Sequence, residues 1–274
     1  MIAVKKYVWL LVVVVLFACN QTKKVREIPV NDFFKTQDRA LYRLSPNGKY
    51  LSYLTLKDKK QHLIVEDLEQ GKITEVSKLE ERNINFYAWV SNDEIIYYKE
   101  KEGSRFQTDL YIVNKNGTGE RLLNADEKSK VRLLEDQLID DKFLLVSSNK
   151  RDSTVFDVYK LNVRNGQMII AAKNPGNFTD WLTDSKGSLR MAISTDGVNE
   201  SLWYRENEAV PFKKIITNNF KTTLWPVAFS ETQPNIIYAI SNVNRDKTAL
   251  VEIDCTSGKE KNVLFANDTL NVTE

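Results

Sequence analysis

The sequence predicts an all-β protein made of about five copies of a four-stranded antiparallel unit, and three observations lead to this prediction. First, short runs rich in Val, Ile, Leu, Tyr, Phe and Trp recur after residue 40, where long amphipathic helices are hard to find. Second, turn-forming pairs such as Asn-Gly, Asp-Lys and Ser-Gly separate these runs. Third, the turn inside the first hairpin of each unit starts near residues 45, 91, 140, 184 and 230, at intervals of 46, 49, 44 and 46 residues. Such a period is typical of a β-propeller blade, whereas a two-sheet β-sandwich would not require a fixed period.

The five units cover residues 40–77, 86–124, 131–173, 178–217 and 224–265. The first has the strand candidates ALYRL, KYLSYLTL, HLIVEDL and KITEVS, and the second has FYAWV, EIIYYKE, DLYIVN and ERLLN. The third has VRLLEDQLI, KFLLVSSN, VFDVYKLN and MIIAAK. The fourth has FTDWLT, LRMAIST, SLWYREN and FKKIIT, and the fifth has LWPVAFS, IIYAISNV, ALVEID and KNVLF.

The strongly apolar second and third strands indicate sheets that are buried on their faces. One four-stranded sheet cannot cover both its faces alone, so we expect each sheet to pack against its neighbours in a radial array. Segments such as LIVED, LYIVN, VYKLN and LVEID recur as the third strand and are interpreted as packing between blades. Trp181, Trp203 and Trp225 are likewise interpreted as core residues rather than carbohydrate platforms. Five blades can close on themselves or form a partial, open ring, and the sequence leaves both arrangements open.

The composition excludes several function classes. The chain has 274 residues, 39 Lys and Arg against 37 Asp and Glu, two Cys and one His. A net charge of +2 gives no electrostatic reason to expect nucleic acid as a partner. So few Cys and His argue against a disulfide framework or a zinc cluster, and Asp140-Asp141 lacks the alternating oxygen ligands of a calcium loop. We therefore predict no metal site, no cofactor and no cofactor-binding residues.

Residues 1–18 are predicted to be a lipoprotein signal peptide, and its apolar run is expected to be helical. Lys5 and Lys6 precede the run YVWLLVVVVLFA, which at about 1.5 Å per residue is too short for a bilayer of about 30 Å. The sequence Leu16-Phe17-Ala18-Cys19 resembles a bacterial lipobox, so Cys19 is the predicted lipid attachment site. An uncleaved N-terminal anchor, or an ordinary signal peptide in which Cys19 is incidental, remain the alternatives.

The rest of the chain is divided into a tether at residues 19–39 and the propeller at residues 40–274. Because residues 1–18 contain two lysines and no acids, the mature chain would have 37 basic and 37 acidic residues. The predicted location is the bacterial cell envelope, on the periplasmic or surface face of a membrane to which the lipid binds the chain. Cys255 is then left without a disulfide partner, and we interpret it as a semi-buried thiol rather than a nucleophile.

Several segments resemble the start of serine peptidases of the prolyl oligopeptidase family, in particular exported members similar to dipeptidyl peptidases and acylaminoacyl peptidases. They are IPVNDFF at residues 28–34, LSPNGK at residues 44–49, YAWVSND at residues 87–93, DLYIV at residues 109–113 and VLFAN at residues 263–267. LSPNGK resembles the SPDGK turn of the family's first blade, with Asn47 where Asp is commoner; such turns also occur in TolB-like propellers. The resemblance covers residues 28–274.

The resemblance implies a propeller of seven or eight blades that precedes an α/β-hydrolase domain and filters its substrates by size. In the family that domain carries a Ser, Asp and His triad with the Ser in a G-x-S-x-G motif. This chain contains no G-x-S-x-G, and its one histidine, His62, lies on a predicted strand where a structural or surface role is expected. No catalytic residue is assigned, and the chain is expected to be a truncated or split member without the catalytic half.

Two functions follow as hypotheses. In the first, the chain is the substrate-gating propeller of an exported, lipid-anchored serine peptidase, and hydrolase activity belongs only to a longer or split protein. Its partners are then a peptide substrate or a hydrolase domain. In the second, it is a non-catalytic TolB-like lipoprotein that binds a peptide, a glycan or a cell-envelope partner.

Overall fold

The computed structural model describes residues 28–33, 38–77, 83–100, 108–124, 129–135 and 138–273. The chain divides into two compact units, Met1–Asp38 and Arg39–Glu274. The described part of the first unit includes one short helix, α1 (Val30–Phe33). Over the described ranges, no helix is both long and apolar enough to cross a membrane. The predicted signal-peptide helix and Cys19 lie outside the described residues.

The described residues of the second unit form twenty strands in five sheets, which we number in chain order. Sheet 1 contains β1 (Arg39–Leu44), β2 (Tyr50–Lys57), β3 (Lys60–Asp67) and β4 (Ile73–Glu75). Sheet 2 contains β5 (Ile84–Trp89), β6 (Glu94–Glu100), β7 (Thr108–Asn114) and β8 (Arg121–Leu122). Sheet 3 contains β9 (Val131–Leu133), β10 (Phe143–Asp152), β11 (Val155–Asn162) and β12 (Met168–Ala172). Sheet 4 contains β13 (Phe178–Thr183), β14 (Leu189–Thr195), β15 (Asn199–Tyr204) and β16 (Lys213–Asn219). Sheet 5 contains β17 (Leu224–Phe229), β18 (Ile236–Ser241), β19 (Ala249–Asp254) and β20 (Lys259–Phe265).

Every sheet is an antiparallel meander in which strand order follows chain order. The register of the hairpins is set by turns that demand unusual backbone angles. Lys57 pairs with Lys60 across a two-residue turn, and both turn residues, Asp58 and Lys59, have positive φ. That geometry matches the right-handed twist of the flanking strands. The prediction of about five four-stranded antiparallel blades is therefore confirmed.

Among the residues that the structure describes, the hydrophobic core is a series of four clusters, and each cluster joins two consecutive sheets. One joins sheets 1 and 2 around Leu63 and Tyr97, and the next joins sheets 2 and 3 around Ile112 and Leu144. The third joins sheets 3 and 4, and the fourth joins sheets 4 and 5 around Val251. None of the four clusters contains residues of both sheet 1 and sheet 5. Sheets 2, 3 and 4 thus pack on both faces against core partners, whereas sheets 1 and 5 contribute to one cluster each.

Candidate functional site

The single histidine is held inside sheet 1. His62 lies on β3, is 8% exposed, and its Nδ1 is 2.7 Å from Oε1 of Glu75 on the neighbouring strand β4. Burial and this hydrogen bond give the ring a structural role in the sheet. The sequence could not show the Glu75 partner, because the two residues meet only through the register of β3 and β4.

Cys255 lies in the core, out of contact with solvent. It follows β19, is fully buried, and packs in the core cluster between sheets 4 and 5. Burial raises the pKa of its thiol to about 12. Because the thiolate is the reactive form, Cys255 behaves as a small apolar core residue.

Of the acidic and aromatic residues discussed from the sequence, most lie in turns or pack against other side chains, and one does not lie where it was predicted. Asp140 and Asp141 form a tight turn with φ of 51° and 54°. Trp181 is half-buried against Phe178. Trp225 is 41% exposed, so its assignment to the core is wrong: it lies on sheet 5, whose described residues contribute to one core cluster. Within the described ranges, no three His, Cys, Asp or Glu side chains come together in a way that could hold a metal ion.

The best candidate for a binding site is a cavity of about 450 Å³ bounded by sheets 3, 4 and 5. It lies where the first strands of these sheets end and turn toward the second strands. Lining side chains come from the end of β13, from the β13–β14 turn and from the end of β17: Leu182, Thr183, Asp184, Ser185, Lys186, Val227, Ala228 and Phe229. Sheet 3 contributes Glu135, Leu138 and Ile139, and Glu231 closes the side of sheet 5.

Polar contacts organise this cavity. The hydroxyl of Thr183, a nearly buried residue, donates a hydrogen bond to Oε1 of Glu135 across the gap between sheets 3 and 4. Asp184 forms an ion pair with Arg190, at 3.3 Å from Oδ2 to Nη1. Glu231, which is exposed, also lines the cavity. The lining thus contains three carboxylates, of Glu135, Asp184 and Glu231, and one lysine, Lys186. The cavity therefore presents an acidic, hydrogen-bonding surface.

Arg190 also ties the cavity wall to sheet 5. Its guanidinium is almost fully buried and donates to the Tyr204 hydroxyl at 2.6 Å and to the Pro234 carbonyl oxygen at 3.1 Å. The Tyr204 hydroxyl in turn donates to Oδ1 of Asn235 at 2.6 Å. Burial raises the pKa of Tyr204, so the phenol stays protonated and can keep donating. This network fixes the relative position of sheets 4 and 5, two of the three sheets that bound the cavity.

A second cavity of about 680 Å³ opens beside the first, along sheets 1, 2 and 3. Arg43, Leu44, Trp89 and Asp141 are among its lining residues, and Leu138 lines both cavities. The first-to-second-strand turns of all these sheets lie at one end of the array because every sheet has the same strand order. The two cavities therefore share one end of the propeller.

The described lining offers hydroxyl and carboxylate groups to a ligand but does not contain the parts of a peptidase triad. Ser185 and Thr183 supply hydroxyls, yet the described residues that line the two cavities include neither His nor Cys. Sequence reasoning identified the turn at residues 184–187 but did not single out Glu135, Thr183 or Arg190. The sequence signal that could have indicated this site was the repeat, because it places the corresponding turns of all the sheets at the same end.

The comparisons with known proteins agree with this description. No protein-family model matches the chain. Dipeptidyl aminopeptidase BIII of Pseudoxanthomonas mexicana is 24% identical over 240 residues, which cover 84% of this chain and 34% of the relative. The chain thus spans about a third of the length of the curated relative that it matches.

Solved structures show the same fold at lower identity. A puromycin hydrolase superposes with a TM-score of 0.57 and 11% identity, over 85% of this chain and 38% of the other. A prolyl endopeptidase gives a TM-score of 0.54 and 16% identity, over 83% of this chain and 34% of the other. A puromycin-hydrolysing peptidase of Mycobacterium tuberculosis gives 0.53 and 13%, over 81% and 37%. Each likeness covers little more than a third of a peptidase, as a propeller region would.

Proposed function

We propose, from its kinship with the propeller region of prolyl oligopeptidase family peptidases, that this chain is the substrate-gating part of an exported, lipid-anchored serine peptidase. The observation that carries the proposal is the sequence match to a dipeptidyl aminopeptidase, which runs over 240 residues and 84% of the chain. A match of that extent includes most of the five sheets. On this proposal, hydrolysis belongs to a catalytic region that this chain does not itself supply.

The cavities at one end of the sheets support a gating role. Their volumes, about 450 and 680 Å³, lie in the range of sites that take small ligands. A peptide of a few residues can enter such a space, whereas a folded domain cannot. The hydrogen bond between Thr183 and Glu135 and the ion pair between Asp184 and Arg190 keep the walls in place, so the size limit is set by folded structure.

A chimera tests the gating role. The matching third of dipeptidyl aminopeptidase BIII is replaced by this chain, and folding is checked by circular dichroism. We expect the chimera to cleave dipeptidyl nitroanilides and short peptides while leaving a folded protein with an accessible N-terminus intact. The isolated chain should cleave none of them. A folded chimera that degrades the folded protein as fast as the peptide would refute the gating role, and turnover by the isolated chain would refute the absence of a catalytic centre.

Substitutions at the cavity wall sharpen this test. In the chimera, Glu135→Ala removes the acceptor of the Thr183 hydroxyl and should relax the size limit, since the two walls are no longer linked. Glu69→Ala, on an exposed turn of sheet 1, is the matched control and should leave the limit unchanged. An equal effect of both variants would mean that this cavity does not set the limit.

The lipid anchor is part of the proposal and has its own test. Its support is the lipobox-like sequence Leu16-Phe17-Ala18-Cys19 after a basic and apolar segment. We expect the chain to incorporate labelled palmitate in a bacterial host and to partition into detergent, and the Cys19→Ser variant to do neither. Cys255→Ser is the control, because that thiol is buried. Labelling that survives Cys19→Ser would refute the anchor.

A further inference from the structure

The interface between sheets 3 and 4 has the smallest buried core of the described array. Its cluster has three buried members, Leu145, Val158 and Leu189, among the residues that the structure describes. The clusters between the other consecutive sheets have ten or twelve buried members each. Around those three residues the side chains are only partly buried, Trp181 and Phe212 among them. Because little apolar surface is buried here, this is the interface along which two folded sheets separate most easily.

Polar contacts add little to this interface. Outside the linker of residues 173–177, the described polar side-chain contacts between sheets 3 and 4 are the Thr183–Glu135 hydrogen bond and an ion pair between Lys160 and Glu208. The side chains of the ion pair are 30% and 33% exposed. An ion pair that is so accessible to water stabilises an interface only weakly.

The two buried arginines of sheet 4 differ in the same way. Arg190 donates across the interface with sheet 5, to the Pro234 carbonyl oxygen. Arg205 is also almost fully buried, but it donates to the carbonyl oxygens of Leu189 and Glu208, which belong to its own sheet and the connection that follows. Its Nη2 has no hydrogen-bond partner among the described residues. Sheet 3 can therefore move away from sheet 4 without breaking a hydrogen bond of Arg205.

The linker from sheet 3 to sheet 4 holds one end of their interface together. Asn174 is almost fully buried, and its Nδ2 donates to the carbonyl oxygens of Phe156, on β11, and Phe178, on β13. The Asn174 backbone N–H donates to Oδ1 of Asp157 at 2.7 Å. Gly176 follows, with φ of 118° and open space around its Cβ position. A residue bonded to both sheets, close to a glycine whose backbone angles can change freely, is the arrangement of a hinge.

The cavity of about 450 Å³ lies at the other end of this interface. β13 begins at Phe178, which is bonded to the linker, and ends at Thr183, which lines the cavity. At about 3.3 Å per residue, the two ends of this strand are roughly 16 Å apart. A rotation about the linker therefore moves the cavity walls apart while the hydrogen bonds within each sheet stay intact.

We propose that sheets 3 and 4 pivot about the Asn174 linker and separate at the cavity, so that the cavity has a closed and an open state. The Thr183–Glu135 hydrogen bond stabilises the closed state. Entry of a peptide through the opening rests on the proposed gating function, whereas the opening itself does not depend on it.

Thiol labelling of two neighbouring core positions tests the opening. Leu145 packs between sheets 3 and 4, Leu144 packs between sheets 2 and 3, and both are fully buried. In a Cys19→Ser background, Leu145→Cys should react with a maleimide at least about tenfold faster than Leu144→Cys, because the opening uncovers only position 145. Cys255, buried between sheets 4 and 5, is a second control in the same molecule. A rate at position 145 no higher than at position 144 would refute the opening, since global unfolding uncovers both.

The role of the hydrogen bond in the closed state is tested in the same assay. Glu135→Ala removes the acceptor of the Thr183 hydroxyl, so it should raise the labelling rate of Leu145→Cys about two- to tenfold. The labelling rate of Leu144→Cys should not change. An equal rise at both positions would show that the substitution destabilises the whole chain and that this bond does not hold the cavity closed.

A disulfide across the cavity distinguishes this inference from the proposed function. A Cβ atom at position 187 would lie 4.0 Å from Cβ of Ile139, a distance that a disulfide spans. Ile139→Cys and Gly187→Cys are combined in the chimera with dipeptidyl aminopeptidase BIII, and mass spectrometry confirms the disulfide. Oxidation should slow the cleavage of short peptides by about tenfold or more, and reduction should restore it. The single variant Gly187→Cys is the control and should not respond to oxidation.

The possible failures of the two proposals give different results. If the disulfide leaves cleavage unchanged in a chimera that still excludes folded proteins, peptides do not enter through this opening, and the inference fails while the size limit stands. If the chimera degrades folded proteins, the gating function fails, whereas faster labelling at position 145 still demonstrates the opening.

Discussion

Glycines in the turns between third and fourth strands control how closely neighbouring sheets approach. At Gly258 two requirements coincide, because the residue has φ of 68° and lies against the Ile215 backbone. At Gly71 only the first requirement holds, since its φ is 66° and the space beside it is open. The same substitution at these two positions therefore separates the cost of backbone strain from the cost of a lost inter-sheet contact.

We predict that Gly71→Ala lowers the free energy of unfolding by about 1–2 kcal/mol, the cost of a left-handed conformation for an L-residue. Gly258→Ala should lower it by about 3 kcal/mol or more, because the added methyl group also displaces β16. Urea unfolding followed by tryptophan fluorescence measures both. Equal losses at the two positions would show that the Gly258 turn does not hold sheets 4 and 5 together.

Between elements, a buried guanidinium joins sheets 4 and 5. Arg190 is 6% exposed and bonds Asp184, Tyr204 and the Pro234 carbonyl oxygen. Removing it would leave the Tyr204 hydroxyl and the Pro234 carbonyl oxygen without this donor in a buried interface. Asp184 would lose its cationic partner and keep only the backbone N–H groups of Lys186 and Ser188. A comparable ion pair links sheets 3 and 2: Nη1 of Arg164 lies 2.9 Å from Oε1 of Glu94. The Arg164 side chain, however, is largely exposed to solvent.

We predict that Arg190→Met lowers the free energy of unfolding by about 3–5 kcal/mol. Arg164→Met should cost about 1 kcal/mol or less, since water replaces an exposed partner and Arg121 stays near Glu94. Thermal unfolding of the two variants provides the measurement. If Arg164→Met proved the more damaging of the two, burial would not be what gives the Arg190 network its importance.

At the scale of the whole molecule, stability should vary along the array of sheets. A repeat array is held together by contacts between nearest neighbours, and a terminal repeat has one neighbour instead of two. Sheets 1 and 5 each take part in one core cluster, whereas sheets 2, 3 and 4 take part in two. The terminal sheets should therefore open first.

We predict that amide hydrogens of β2, β3, β18 and β19 exchange at least about tenfold faster than those of β10 and β11. A deficit of about 1.4 kcal/mol in packing is enough for this difference. Hydrogen exchange with mass spectrometry on dilute protein measures it. Uniform exchange across the five sheets would mean that the array unfolds as one cooperative unit.

The amino-acid sequence by itself determined the number of sheets, their strand order and the positions of their turns. These features depend on local patterns: apolar strands of fixed length, turn residues such as Asn165-Gly166, and a period of about 46 residues. The sequence also contains no G-x-S-x-G motif, so no catalytic residue was assigned from it. Local chemistry was sufficient for each of these conclusions.

Only the tertiary structure decided which faces are covered and which residues meet. Trp225 has a large apolar side chain of the kind found in cores, yet it is 41% exposed, because burial depends on whether another sheet lies opposite. Thr183 and Glu135 lie 48 residues apart and meet only through the packing of sheets 3 and 4. Likewise, Gly71 and Gly258 occur in similar turns, and only their surroundings distinguish them. A sequence repeat shows which positions correspond between sheets. The contacts that distinguish corresponding positions come from residues far apart in the chain, so the repeat alone cannot show them.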